Sequence, residues 1–294
     1  VQALSNVNFS VEEKEYVAIM GESGSGKTTL MNMLSGIYHP DSGEILVNGQ
    51  TVAINSPVDA MHLGIGMIHQ HFKLIPIFTA TENIILGLKE QGRMNLAEKN
   101  REVEALAAQY GFELNPEQKI YDMTVSQKQT VEIVKVLFRG ADILILDEPV
   151  DGLDPVMRRQ IWSIILSEVA EKEMTVLVSS HNLRELEDVC DHVGIMHHGK
   201  IMIERSLSDL QGSVSKIQVA CQSGMPKLPE HFQVLHMANT GRVYTMIVKG
   251  DPKEAEAALS YCNPTIVDVL PLTLEEIFIY EMGGADYEVK DILF

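Results

Sequence analysis

The chain has 294 residues, 45% of them hydrophobic and 22% charged, with a formal net charge of -18. This composition suits a globular protein of one large domain or one and a half, and the excess of acids excludes a nucleic-acid-coating role, which needs clustered Lys and Arg. Cys190, Cys221 and Cys262 lack metal-ligand or redox spacing, so reduced thiols are expected, and no apolar run approaches the roughly 18 to 20 residues of a membrane-spanning helix.

The first residue is Val1 rather than Met and no signal peptide precedes the fold, so a missing beginning is expected. Val7, Phe9 and Val11 alternate with polar neighbours, which predicts a strand, and YVAIM from Tyr16 predicts a second that ends at a glycine. Between Met61 and Gly140 the pattern turns helical. There Asn95 and Glu98 form a capping-box signal, with Val103, Leu106 and Tyr110 as the apolar face, and a further helix is expected from about Ser126 to Arg139, stopped by Gly140. ADILILDEP then reads as a strand, Asp154-Pro155 opens a helix, and MTVLVS and VGIMHHG read as strands around a short helix. Strands alternating with helices predict an α/β core with a largely parallel sheet. After Ser206 the texture shifts to three alternating strands near Ile217, Val234 and Tyr244, a helix at Asp251-Pro252 and a last helix capped by Thr273 and Glu276, together a small α+β domain.

Residues 21–29, GESGSGKTT, fit G-x-x-x-x-G-K-[ST] between an apolar strand and an apolar helix. A glycine turn beside an exposed lysine also fits the pattern alone, but strand before and helix after favour phosphate binding. Gly21, Gly24 and Gly26 let the backbone curl, so that the amides around Ser23, Ser25 and Thr29 converge on phosphate; Lys27 would bridge phosphates and Thr28 ligate magnesium. Asp147 and Glu148 emerge at a strand's carboxyl end, where open parallel sheets bind ligands. Asp147 suits magnesium and Glu148 suits a base for the attacking water. His181, after MTVLVS, can reach a γ-phosphate, and Gln70 in GMIHQHF can sense magnesium and the γ-phosphate.

In this order and spacing these pieces resemble the ATP-binding cassette (ABC) family of transporter ATPases over about residues 1–205. The resemblance implies a P-loop NTPase core with a helical subdomain at about 67–140, a C-terminal accessory domain at 206–294, and ATP with Mg2+ as ligands. It assigns Gln70 to the lid, Asp147-Glu148 to the Walker B pair, Gly152-Leu153-Asp154 to the D-loop and His181 to the switch. It also implies a second ATPase subunit, alike or different, transmembrane permease partners, no nucleic acid, and a cytoplasmic place on the inner face of the membrane. The signature departs from the family: where Leu-Ser-Gly-Gly-Gln is usual, Met123-Thr124-Val125-Ser126-Gln127 stands. Thr124 keeps a hydroxyl, and Ser126 and Gln127 a helix N-terminus, for the partner's nucleotide, but the lost glycines imply weakened hydrolysis. A nucleotide-gated module with little turnover is therefore one alternative; a soluble, non-transport ABC ATPase is another, disfavoured by the lack of a tandem cassette or coiled-coil insertion.

Subfamily likeness is mixed. GMIHQHFKLIP through GADILILDEP resembles simple-sugar and nucleoside import ATPases, and DGLDPVMRRQIW through PLTLEEIFIYEMGG resembles those of bacterial drug or peptide exporters. IMGESGSGKTTLMNMLSG is similar to lipoprotein and macrolide exporters. A chimera is one implication and an unfamiliar natural subfamily the other. In the family an aromatic residue just upstream of the segment matching residues 1–4 stacks on adenine; here Tyr16 is the nearest candidate, though its place in YVAIM fits the sheet better.

Overall fold

The computed structural model describes residues 3–88, 94–150, 153–187, 189–221, 226, 228–260 and 263–282. The expected D-loop residue Gly152 and the thiol Cys262 lie outside them. The chain groups into two compact units, Val1–His181 with Met196–Met202, and Asn182–Ile195 with Ile203–Phe294.

The first unit departs at once from the sequence pattern, because residues 7–11 form no strand. Val7, Phe9 and Val11 instead pack as partly buried side chains against a core of Val17, Ile19, Leu30, Met31 and Ile145. Alternation records which side is apolar, and an extended segment lying along a core satisfies it as well as a paired strand does. The elements then run β1 (Tyr16–Met20), α1 (Lys27–Leu34), β2 (Ile45–Val47), β3 (Gln50–Val52), α2 (Pro57–His62), β4 (Ile65–Ile68), α3 (Ala80–Ile85), α4 (Leu96–Gln109), α5 (Val125–Arg139), β5 (Ile143–Asp147), α6 (Pro155–Lys172) and β6 (Thr175–Ser180). The hairpin β2–β3, which is not among the elements expected from the sequence, turns on Asn48 and Gly49, both at positive φ, as an Asn-Gly pair between two short strands favours. The stretch from Met61 is not wholly helical either, since β4 is a buried strand. At Asn95 the side chain makes no cap bond, so its expected capping box is absent, whereas Thr79 and Glu82 form a reciprocal one at α3. Helix α5 ends as expected at Gly140, whose φ of 66° is left-handed.

Strands β4, β5, β6 and β1 lie side by side and parallel in that order. Their registers pair Ile68 with Leu146, Asp147 with Ser179 and Ser180 with Met20, so the four carboxyl ends are level. After α7 (Leu183–Leu186) come β7 (His192–His197) and β8 (Lys200–Ser206), and residues 196–202 complete the six-stranded sheet of order β4-β5-β6-β1-β7-β8.

The second unit contains α8 (Leu207–Ser213), β9 (Val214–Ala220), β10 (Gln233–Thr240), β11 (Val243–Lys249), α9 (Pro252–Ser260), β12 (Ile266–Leu270) and α10 (Leu274–Met282). Its antiparallel sheet has the order β10-β11-β9-β12 over a core that includes Ile217, Val219, Met246, Val248 and Leu259. Three of these strands follow from alternation; β12 does not, because, although its burial alternates, the exposed face carries the apolar Ile266 and Leu270 beside Asp268 and so masks the period in the sequence. The Thr273–Glu276 capping box forms as expected. No helix among the described residues is long and apolar enough to cross a membrane.

Candidate functional site

Level strand ends put four loops side by side. β1 runs into residues 21–26, β5 ends in Asp147 and leads to Glu148, β6 leads to His181, and β4 leads to Gln70. Crossover helices make the sheet parallel, and a parallel sheet delivers its loops in this way.

The glycine loop is shaped by close approach. A Cβ on Gly21 would lie 2.3 Å from the Met196 carbonyl oxygen, and Gly26, at φ 107°, is the residue from which α1 starts. Lys27, buried at 4% exposure, donates to the carbonyls of Gly21 at 2.7 Å and Glu22 at 3.0 Å, and its Nζ stands 3.9 Å from Glu148 Oε1. Burial pushes its pKa down, and the Glu148 and Asp147 carboxylates draw it back up. Ser25 Oγ is buried without a hydrogen-bond partner, while Ser23 and Thr28 face solvent and Thr29 is half-buried.

Glu148 is the focus. It adopts φ 47°, a strained choice for a residue with a side chain, held by its N–H on the Ser179 carbonyl at 3.1 Å. Its Oε2 accepts from Gln70 Nε2 at 2.7 Å and its Oε1 lies 3.3 Å from His181 Nδ1. Thus Gln70 and His181 from two loops and Lys27 from the start of α1 converge on one carboxylate. Beside it Asp147, nearly fully buried, accepts from Thr28 Oγ1 at 3.2 Å and from Ser179 Oγ at 2.6 Å.

Three further residues, given no role from the sequence, join the site. Ser179 anchors Asp147; Gln129 on α5 donates to the Pro149 carbonyl at 2.8 Å; and Glu132 on α5 accepts from the Lys73 N–H at 2.8 Å. Nothing local marks them, because each bond joins distant stretches of chain.

Thr124, Ser126 and Gln127 are bonded within the first turns of α5. Thr124 Oγ1 accepts from the Gln127 N–H, Gln127 Oε1 accepts from the Thr124 N–H, and the Ser126 carbonyl accepts from Thr130. The helix cap therefore exists, yet a threonine hydroxyl that accepts one bond still has its own hydrogen to donate. Asp154 caps α6 through the Val156 and Met157 N–H groups. Tyr16 is buried in β1 with its ring edge-on to Trp162, so it is a sheet residue and not an adenine platform.

These residues fit a nucleotide polyphosphate and a divalent cation. The orphaned Ser25 hydroxyl, the glycine curve and the buried Lys27 ammonium supply donors for phosphate oxygens. Thr28 and Asp147 place two hard oxygen ligands in contact, the donor type that magnesium takes alongside phosphates.

Residues 4–151, half of the chain, match the family model described as "ABC transporter". The chain belongs to the ABC transporter family. Among its relatives are a guanosine import ATP-binding protein of Bacillus subtilis, 44% identical over 202 residues, and a nucleoside import ATP-binding protein of Lactococcus lactis, 41% identical over 209. The aligned regions cover 68% and 70% of this chain but 39% and 41% of those proteins, so the ABC chain described here spans about two fifths of the curated relatives it matches. A solved dimeric ATP-binding cassette in a post-hydrolysis state, bound to ADP and Pi, superposes with a TM-score of 0.63 at 28% identity, covering 70% of this chain and 90% of that one. The P-loop ABC cassette fold expected from the sequence is thereby established.

Proposed function

We propose that this chain is a nucleotide-binding subunit of an ABC transporter, hydrolysing ATP at the interface of two such subunits to drive transport through membrane permease partners. The convergence of Gln70, Lys27 and His181 on Glu148, beside the glycine loop, carries this reading. The amides of residues 21–29 wrap the phosphates, with Ser23, Gly24, Ser25, Gly26 and Thr29 lining them, and Lys27 leaves its loop carbonyls to bridge them. Glu148 takes a proton from the attacking water while Gln70 and His181 hold that water and the carboxylate in line. Bound magnesium, held by Thr28, Asp147 and Gln70, would neutralise developing phosphate charge. Thr124, Ser126, Gln127 and Asp154 face the partner subunit's ATP.

The relatives' names, which include nucleoside and ribose/galactose import ATP-binding proteins, favour a nucleoside or simple sugar as cargo and import as the direction; on the same proposal the subunit sits on the inner face of the membrane. Residues 1–205 then form the ATPase domain and 206–294 an accessory domain. The exporter-like texture of residues 150–294 supports a recombined origin for that part. The test is steady-state phosphate release from ATP with magnesium: turnover abolished by Glu148→Gln supports the reading, and turnover unchanged by it sinks the site. The second reading, a nucleotide-gated module with little hydrolysis, draws on the exposed Val125 in place of a signature glycine. ATP binding without phosphate release in the unaltered chain would favour it.

A further inference from the structure

Gln70 sits in the loop between β4 and α3, and that loop is fastened at its far end. The Ile75 N–H donates to Asn83 Oδ1 at 2.7 Å, and Asn83 Nδ2 donates to the carbonyls of Ile75 and Thr79. The Phe78 carbonyl also accepts from the Ile120 N–H. Between Gln70 and that clamp a different element takes hold. Glu132, with 0% exposure, points from α5 to the Lys73 N–H, 2.8 Å from its Oε1, and its other oxygen pairs with Lys135 one turn along the same helix. A carboxylate buried this completely is expensive unless its charge and lone pairs are met, and here an ammonium and a backbone amide meet them. Such a group is costly to keep for stability alone, since an apolar side chain would fill the space at less desolvation cost.

Glu132 lies eight residues along α5 from Thr124, about 12 Å of helix axis. One rigid helix therefore carries both the capped turn assigned to the partner's nucleotide and the acceptor that holds the loop of the subunit's own Gln70. We infer that Glu132 is a positioning residue: through the Lys73 amide it sets the Gln70 loop so that Nε2 meets Glu148, and it makes that contact follow the position of α5. This rests on the proposed ATPase reading. The chemistry stays with Glu148; Glu132 touches neither nucleotide nor water.

The experiment measures ATP turnover of the full chain carrying Glu132→Met, which keeps an unbranched side chain of similar length and removes the acceptor. kcat should fall about 10-fold with KM for ATP within about 2-fold, since the lost contact acts on alignment rather than on phosphate binding. In a Gln70→Ala background the same substitution should cost under about 2-fold more, because the group it positions is already gone. Equal losses in both backgrounds, or no loss in the unaltered background, overturn the inference, as a merely structural role predicts the former. Glu132→Gln, which keeps a neutral acceptor, should restore most of the rate. If Glu132→Met does not fold, Glu132→Gln carries the test through hydrogen exchange: the Lys73 amide should exchange about 3-fold faster or more, because a neutral acceptor binds it less strongly than a carboxylate. Unchanged exchange overturns the tether. Exchange also separates the two readings, since a chain that releases no phosphate at all refutes the ATPase proposal while the Lys73 amide still reports whether Glu132 holds the loop.

Discussion

The carboxylate of Glu148 makes sense only through its neighbours. Glutamine at this position would keep the shape and the Gln70 contact but could not take a proton, so Glu148→Gln should lower turnover by about 10² to 10⁴ while ATP still binds. Loss of binding together with turnover would reassign Glu148 to a structural role. Lys27→Ala removes a buried, preorganised charge and should abolish measurable turnover; filter-binding with labelled ATP should show weakened affinity as well. Ser179→Ala strips a charge-assisted bond from the buried Asp147, and chemical denaturation should register a loss of about 1.5–3 kcal/mol. A midpoint equal to the unaltered chain's would show that Asp147 finds another donor. These residues differ in how readable they were. Lys27, Asp147 and Glu148 stand in short patterns whose chemistry is local, whereas Ser179, Gln129 and Glu132 act on partners 32, 20 and 59 residues away, and a linear pattern carries no trace of such a pairing.

At the scale of elements, the sequence revealed periodicity well and pairing poorly. β1, β5 and β6 are apolar runs that must be buried on both faces, and they emerged as a parallel sheet. Residues 7–11 alternate without a strand partner, and β12 pairs although Ile266 and Leu270 put apolar side chains on its exposed face, because hydrogen-bond partners across a sheet are set by tertiary packing. Helix α5 shows how a cap and a site can share residues. Its capping box uses one lone pair of Thr124, at an exposed N-terminus, and does not use the hydroxyl's own hydrogen. Thr124→Ala should therefore cost about 1 kcal/mol of stability and lower turnover too, while Thr124→Ser preserves both. A stability loss without a turnover loss would mean that the turn is a cap and nothing more.

On the scale of the whole molecule, the proposed function needs a second subunit, because it assigns Thr124, Ser126 and Gln127, which are bonded within the first turns of α5, to a nucleotide other than the one beside Glu148. On that proposal, two chains placed head to tail would bring the α5 N-terminus of one to the glycine loop of the other; the solved cassette bound to ADP and Pi is itself dimeric. Association must work against charge, because each copy carries a formal -18. The nucleotide and its cation must supply the attraction locally, and screening must blunt the repulsion between surfaces. Since the Debye length shrinks from about 30 Å at 0.01 M salt to about 8 Å at 0.15 M, moderate salt should promote pairing rather than oppose it. Glu148→Gln with ATP and magnesium, which should bind but turn over only slowly, should elute as a dimer at about 0.15 M salt and with a larger monomer fraction at about 0.01 M. Without nucleotide it should be monomeric at both. Light scattering on a sizing column reads the mass directly. A dimer in every condition would mean an interface independent of nucleotide. A monomer in every condition would mean that the ATP-sandwich contacts of this chain, with Val125 and Ser126 in place of glycines, are too weak to close on their own.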